Sequence, residues 1–251
     1  DGGKTWESQT SGTFKSLMAV SFTYSNTGIA VGESGTILLT VDGGANWMAQ
    51  TGITDKYLRD VTFTDANTAT AVGHSGIILR TTDAGKTWEQ QTSGTGLQLC
   101  SVSFTDNYVG TVVGVDGTIL RTTDGGENWE SQTCENPVTL RRVLFIDDDT
   151  GITVGDHGRI FTTDDGGATW INRDSGTEEW LTGIAYVKED QWIVSGLNGT
   201  IMQTMDGGIT WADQLSGTDN NLRDISFIHG KMGIAVGNDG TILRKVSCWS
   251  D

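Results

Sequence analysis

One tryptophan recurs along this chain at a fixed step. Trp6, Trp47, Trp88, Trp129, Trp170 and Trp211 stand 41 residues apart, closing the strings DGGKTW, DGGANW, DAGKTW, DGGENW, DGGATW and DGGITW. Leu17, Leu58, Leu99, Leu140, Leu181 and Leu222 keep the same step. A period of this length marks one supersecondary unit copied and stacked, so that neighbours bury what a single unit cannot. No copy carries an insertion.

Each unit reads as four short strands. The first alternates, with Leu58, Asp60 and Thr62 set against Val61 and Phe63. The second is a compact apolar run ending in glycine, such as Ala71-Val72-Gly73. A glycine-rich hairpin (GESG, GHSG, GVDG, GDHG, GLNG, GNDG) leads into the third, for example Thr118 to Arg121. The DGG turn leads into a fourth strand that starts at the tryptophan. Sustained helical periodicity is absent. Four strands per roughly 40 residues is the blade of a β-propeller, and a solenoid of β-coils would need shorter repeats. The expected fold is all-β: a six-bladed β-propeller of four-stranded antiparallel blades. The chain starts at a fourth strand, Trp6 to Thr10, and its last unit stops after a third, Thr241 to Arg244. Residues 1–12 are therefore expected to complete the last blade, 222–246, closing one domain over 1–251 and removing its open edges.

Composition narrows the function classes. The 35 glycines against 1 proline fit a chain of tight turns. With 32 acidic and 16 basic residues the formal net charge is −16. That charge repels phosphate backbones and argues against a nucleic-acid partner. Nowhere do about twenty apolar residues run together, so no membrane span is expected. Cys100, Cys134 and Cys248 show neither metal spacing nor a disulfide framework. Neither a metal nor another cofactor is expected. The chain opens inside a motif copy, which suggests that a targeting segment has been removed.

The tryptophan string has a physical rationale as a turn. Asp42, Asp83, Asp124, Asp165 and Asp206, with Asp1 at the same column, can accept hydrogen bonds from the N–H groups of their own loop. The glycine two residues on tolerates positive φ, and the tryptophan buries a large ring between outer strands. A calcium reading fails because the 12-residue ligand spacing of an EF-hand is absent. Six equivalent copies also do not make one catalytic centre. The string resembles the Asp-box, [ST]-x-D-x-G-x-[TS]-[WF], with Thr40, Thr81, Thr122, Thr163 and Thr204 in the leading position. That resemblance implies a structural motif on the outer lower rim, away from the ligand face.

Candidate ligand residues come from reading the repeats column by column. Just after the landmark leucine stand Met18, Arg59, Cys100, Arg141, Thr182 and Arg223, so three arginines occupy alternate blades. The next column holds Asp60, Arg142 and Asp224; the preceding one holds Tyr57 and Trp180. Arg59, Arg141, Arg142 and Arg223 could form a basic patch at the channel mouth. Guanidinium forks suit carboxylates, a peptide C-terminus included, and Tyr57 and Trp180 offer stacking surfaces. The alternative is that Arg59–Asp60 and Arg223–Asp224 are ordinary ion pairs between blades. His157 joins the same face from a second-to-third hairpin, but with His74 it lies in an adjacent column, which disfavours a metal site. His229 is expected on the opposite face. Trp192, in a column otherwise Gly or Ala, marks either altered packing or an exposed contact.

Two families carrying the Asp-box are glycosidases. The sialidase Arg-Ile-Pro signature is missing, since the single proline is Pro137, and the two-propeller cleft of xyloglucanases has no counterpart here. The chain more closely resembles the photosystem II stability/assembly-factor family. The resemblance rests on the L-x-x-V-x-F first strands (Leu58 to Phe63, Leu140 to Phe145, Leu222 to Phe227), the [AV]-V-G second strands, the G-T-I-L-[RL] third strands and the T-T-D-G-G-x-x-W boxes. It implies an assembly chaperone. Photosynthetic members have seven blades, work in the thylakoid lumen and bind a reaction-centre precursor through an arginine-rich patch. Here six blades are counted, and Arg59, Arg141, Arg142 and Arg223 are the matching candidates. The expectation is a non-catalytic, extracytoplasmic propeller that binds a protein segment at its arginine-bearing face. A glycoside hydrolase and a surface or filament subunit are the alternatives.

Overall fold

Short strands joined by tight turns account for nearly all the ordered backbone. The computed structural model describes residues 5, 7–23, 26–228 and 232–246. The first blade is β1 (Leu17–Phe22), β2 (Gly28–Gly32), β3 (Ile37–Thr40) and β4 (Met48–Gln50). The second is β5 (Leu58–Phe63), β6 (Ala69–Gly73), β7 (Ile78–Thr81) and β8 (Glu89–Gln91). The third is β9 (Leu99–Phe104), β10 (Gly110–Gly114), β11 (Ile119–Thr122) and β12 (Glu130–Gln132). The fourth is β13 (Leu140–Phe145), β14 (Gly151–Gly155), β15 (Ile160–Thr163) and β16 (Ile171–Arg173). The fifth is β17 (Leu181–Lys188), β18 (Gln191–Gly196), β19 (Ile201–Thr204) and β20 (Ala212–Asp213). The sixth is β21 (Leu222–Ile228), β22 (Met232–Gly237) and β23 (Ile242–Val246). Each blade is an antiparallel sheet in chain order, and the inner strands β1, β5, β9, β13, β17 and β21 stand in succession around the axis.

The blades adhere through one repeated contact. Val31 and Ile37 of the first blade pack on Leu58 and Val61 of the second, and the same columns meet at the following junctions. Each such side chain, fully buried, contributes about 1.5–3 kcal/mol. The junction between the sixth and first blades differs. Ile242 is 57% exposed where Ile37 is 0%, and Val20 is 58% exposed where Val61 is 4%. Leu17 and Val236 are exposed in the same way. The strand expected from Trp6 to Thr10 depends partly on residues outside the described set. Among those described, residues 7–16 contain no strand, and β23 has no strand on its outer side.

The turns explain the glycine pattern. In each second-to-third hairpin two consecutive residues have positive φ, as at Ser75 (58°) and Gly76 (68°). This is the requirement of the tight hairpin turn whose twist matches the strands. At Gly158 a Cβ would lie 1.9 Å from the carbonyl oxygen of Thr177, so glycine is needed for close approach as well. A second glycine column lies flat beneath an aromatic ring: a Cβ on Gly110 would fall 2.5 Å from Phe104. In the fifth blade Trp192 occupies that column. It is fully buried and meets Tyr186 edge-on at 5.1 Å, so it marks altered packing rather than an exposed contact.

The T-x-D turn forms the same network five times. In the third blade the Thr122 hydroxyl donates to Asp124 (2.8 Å) and accepts from Gly126 N–H (2.8 Å). Asn128 donates to Asp124 from its backbone (2.9 Å) and its side chain (2.8 Å). Hydrogen bonds to the ionised form hold Asp83, Asp124 and Asp206 down at about 2, through Thr87, Asn128 and Thr210 respectively. Trp47, Trp129 and Trp170 pack edge-on against the phenylalanine that ends the inner strand of their blade, as in Trp170–Phe145 at 5.8 Å. Asp1 and Trp6 lie outside the described residues, as does His229.

Candidate functional site

A β-bulge builds the mouth of the channel. Leu58 pairs with Gly73 and Asp60 with Val72, which leaves Arg59 between them without a partner. The irregularity recurs in all six inner strands, at Met18, Cys100, Arg141, Thr182 and Arg223. A bulge re-aims side chains. Here the bulged residue turns toward the second-to-third hairpins, while the residue after it lines the channel. The arginine column and the column that follows it thus occupy different places, except that Met18 and Arg223, next to the exposed sixth junction, also line the channel.

At the mouth, Arg59 stands over the Tyr57 ring at 5.9 Å, and Tyr57 stacks on His74 at 5.0 Å. The Tyr57 hydroxyl is 2.9 Å from Met18 Sδ. Burial, and then the charge of Arg59, push His74 below its usual value. Arg141 lies over Trp180 at 4.3 Å, and its Nε donates to Asp156. Cys100 sits in the intervening blade. Burial pushes its thiol up, while Gln98, Arg59 and Arg141 pull it back. Arg223 Nε donates to the Asn238 side chain at 2.9 Å and, among the described residues, forms no ion pair. Arg59 likewise has no carboxylate partner among them.

Arg142 behaves differently. It projects into the channel, where its guanidinium meets Asp60 at 3.3 Å and Asp224 at 2.7 Å. Both carboxylates come from blades two steps away, so one arginine ties the second, fourth and sixth blades across the axis. The Ser101 hydroxyl donates to Asp60 at 2.8 Å, and Val102 N–H donates to it at 3.1 Å. Asp60, ahead of the other influences, stabilises the charged Arg142; burial raises Asp224 while Arg142 opposes it. The alternative pairs Arg59–Asp60 and Arg223–Asp224 do not form among the described residues, because the bulge sends consecutive residues to different places. Arg142 is correspondingly absent from the mouth, with its charge met by two carboxylates.

The channel is a cavity of about 780 Å³ lined by residues of all six inner strands, among them Asp60, Ser101, Arg142, Arg223 and Asp224. Gln9, Leu17, Val20 and Val236 also line it, so it continues into the exposed sixth junction. His157 lies elsewhere, in a recess with Arg159 and Arg173 on the outer side of the fourth blade. Among the described residues no group of three or more His, Cys, Asp or Glu could hold a metal ion, and no helix is long and apolar enough to cross a membrane. Sequence reasoning missed His74 as the stacking partner of Tyr57 and Asp156 as the partner of Arg141. Both belong to hairpins that the bulge column faces.

A family model described as photosynthesis system II assembly factor YCF48 matches residues 1–97 and 176–246. Arg59 and Arg223 fall within the matched segments; Arg141 and Arg142 fall between them. Among curated proteins no sequence matches. Among solved structures, YCF48 bound to D1 peptide is similar with a TM-score of 0.53 at 21% identity, over 94% of each chain. YCF48 from Cyanidioschyzon merolae gives a TM-score of 0.53 at 18% identity, over 92% of this chain and 95% of that one. At these identities the likeness concerns the fold.

Proposed function

The chain belongs to the photosynthesis system II assembly factor YCF48 family, and from that premise we propose that it is a non-catalytic, extracytoplasmic scaffold that binds a protein segment at its channel mouth. The observation that carries this reading is the bulge column. It sets Arg59, Arg141 and Arg223 on alternate blades at one rim, with Tyr57, His74 and Trp180 as flat surfaces beside them. Arg59 and Arg223 have no carboxylate of their own among the described residues, so an incoming carboxylate meets available guanidinium donors. Arg141 is held over Trp180 by Asp156, which orients its fork before a ligand arrives. The ligand class is a peptide with an acidic group or a free C-terminus, and the relative that binds a D1 peptide supplies the probe. Arg142 supports the mouth from below by holding the blades in register.

Fluorescence anisotropy with a labelled D1 peptide tests the proposal. A charge-assisted hydrogen bond is worth about 1.5–3 kcal/mol, so each arginine contributes roughly ten- to a hundredfold in affinity. The Arg59→Ala/Arg141→Ala/Arg223→Ala variant is expected to lose measurable binding while remaining folded, with only a modest fall in Tm from the lost Arg141–Asp156 pair. Equal binding by the variant and the parent would overturn the assignment.

A further inference from the structure

Arg159 and Arg173 lie together, apart from the mouth and the channel. Arg159 follows the second-to-third hairpin of the fourth blade, and Arg173 ends β16. With His157 they line a recess of about 310 Å³ that also includes Asn172, Ser175 and Thr177. The repeat supplies an internal comparison. Arg159 stands where the other blades have Thr36, Ile77, Thr118, Thr200 and Thr241. Arg173 stands where they have Gln50, Gln91, Gln132 and Gln214. The corresponding recess in the third blade is lined by Asp116, Thr118 and Gln132 and contains no arginine. In the fourth blade, two columns have thus become cationic at one spot in a chain of net charge −16.

No carboxylate takes up the donors at that spot among the described residues. Among the described residues, Arg159 Nε is buried and has no hydrogen-bond partner. Arg173 Nε donates to the Thr162 hydroxyl at 2.9 Å, which fixes the direction of its fork. Asp174 and Glu178 also line the recess, but among the described residues neither pairs with either arginine within ion-pair distance. Asp174 instead accepts from Gly176 N–H at 2.9 Å. A buried guanidinium N–H with no acceptor is costly unless an acceptor arrives from outside. Planar forks of this kind suit oxyanions, to which they donate two parallel hydrogen bonds.

We propose that this recess binds an oxyanion group, a carboxylate, sulfate or phosphate, between Arg159 and Arg173. It is separate from the channel mouth and independent of the function proposed for it. The test is an NMR titration of the arginine Nε–H resonances with inorganic phosphate, sulfate and acetate in separate arms at constant ionic strength. The expected result is a saturable shift at Arg159 and Arg173 in the millimolar range. The arm that saturates first tells tetrahedral anions from carboxylates. The Arg159→Thr/Arg173→Gln variant restores residues found at the same columns of neighbouring blades and therefore keeps the fold. It is expected to weaken binding at least tenfold. Arg173→Lys, which keeps the charge but loses the fork, is expected to fall between the two. Shifts that do not saturate in any arm would overturn the proposal, as would binding unchanged in the double variant.

Discussion

Replacing Arg142 by Met keeps an apolar stem in the channel and removes the guanidinium that ties three blades together. Asp60 and Asp224 then face one another without a cation. Removing one partner of a buried ion pair costs about 3–5 kcal/mol when the charge left behind is fully enclosed. Here the enclosure is partial. The Arg142 side chain is 30% exposed and that of Asp224 42%, so channel water rehydrates Asp224 and screens part of the loss. Asp60, whose side chain is only 8% exposed, keeps its bonds from Ser101 and Val102 but remains an unpaired buried charge. We therefore expect a loss of about 2–3 kcal/mol, or roughly 4–12 °C in Tm for a domain of this size. Asp224 already holds its proton more tightly folded than unfolded, because burial raises it. Without Arg142 it rises further, so the folded variant gains protons as pH falls and its deficit narrows from pH 7 toward pH 4. Denaturant unfolding at both pH values measures this, and adding Asp60→Asn and Asp224→Asn should recover most of the loss. A variant within 0.5 kcal/mol of the parent, on an uncertainty of about that size, or a deficit independent of pH, would refute the cross-channel tie.

Acid is expected to act through the T-x-D turns. Asp83, Asp124 and Asp206 bind their protons less readily folded than unfolded, so their stabilisation is complete above about pH 4 and is lost as pH falls through about 2. Circular dichroism melts at pH 5, 3 and 2 should show most of the decline below pH 4, and a Tm constant over that range would contradict it. Hydrogen exchange should be fastest at the exposed junction. Amides of β1 and β23 are expected to exchange at least tenfold faster than those of β10 and β14, since the columns buried between the other blades are exposed there. Uniform protection around the ring would count against that reading.

The blades were legible because a 41-residue period repeats every signal six times, so no single strand assignment had to stand alone. The glycine columns and the T-x-D turns could be read for the same reason, since φ requirements and short side-chain bonds are local. The bulge left no mark in the sequence: Arg59 and Asp60 read as neighbours of one alternating strand, yet they reach different sites. The partners of Arg142 lie two repeats away in each direction, and only the curvature of the assembled blades brings them together. The exposed sixth junction is equally a property of the whole ring. Val20 and Ile242 match their columns in type and differ in being exposed where the other copies are buried or nearly so. Arg159 and Arg173 carried a readable signal, a departure from the column residue at two positions, that became meaningful once the hairpin and β16 were seen to line one recess.

Three mouth arginines and one channel arginine make contrasting claims that one spectrum can separate. Arginine Nε–H resonances recorded during titration with a D1 peptide should shift for Arg59, Arg141 and Arg223, while Arg142 remains still behind its two carboxylates. Shifts at Arg142 with none at the mouth, or shifts at none of the four under saturating peptide, would contradict the assignment of the mouth as the binding site.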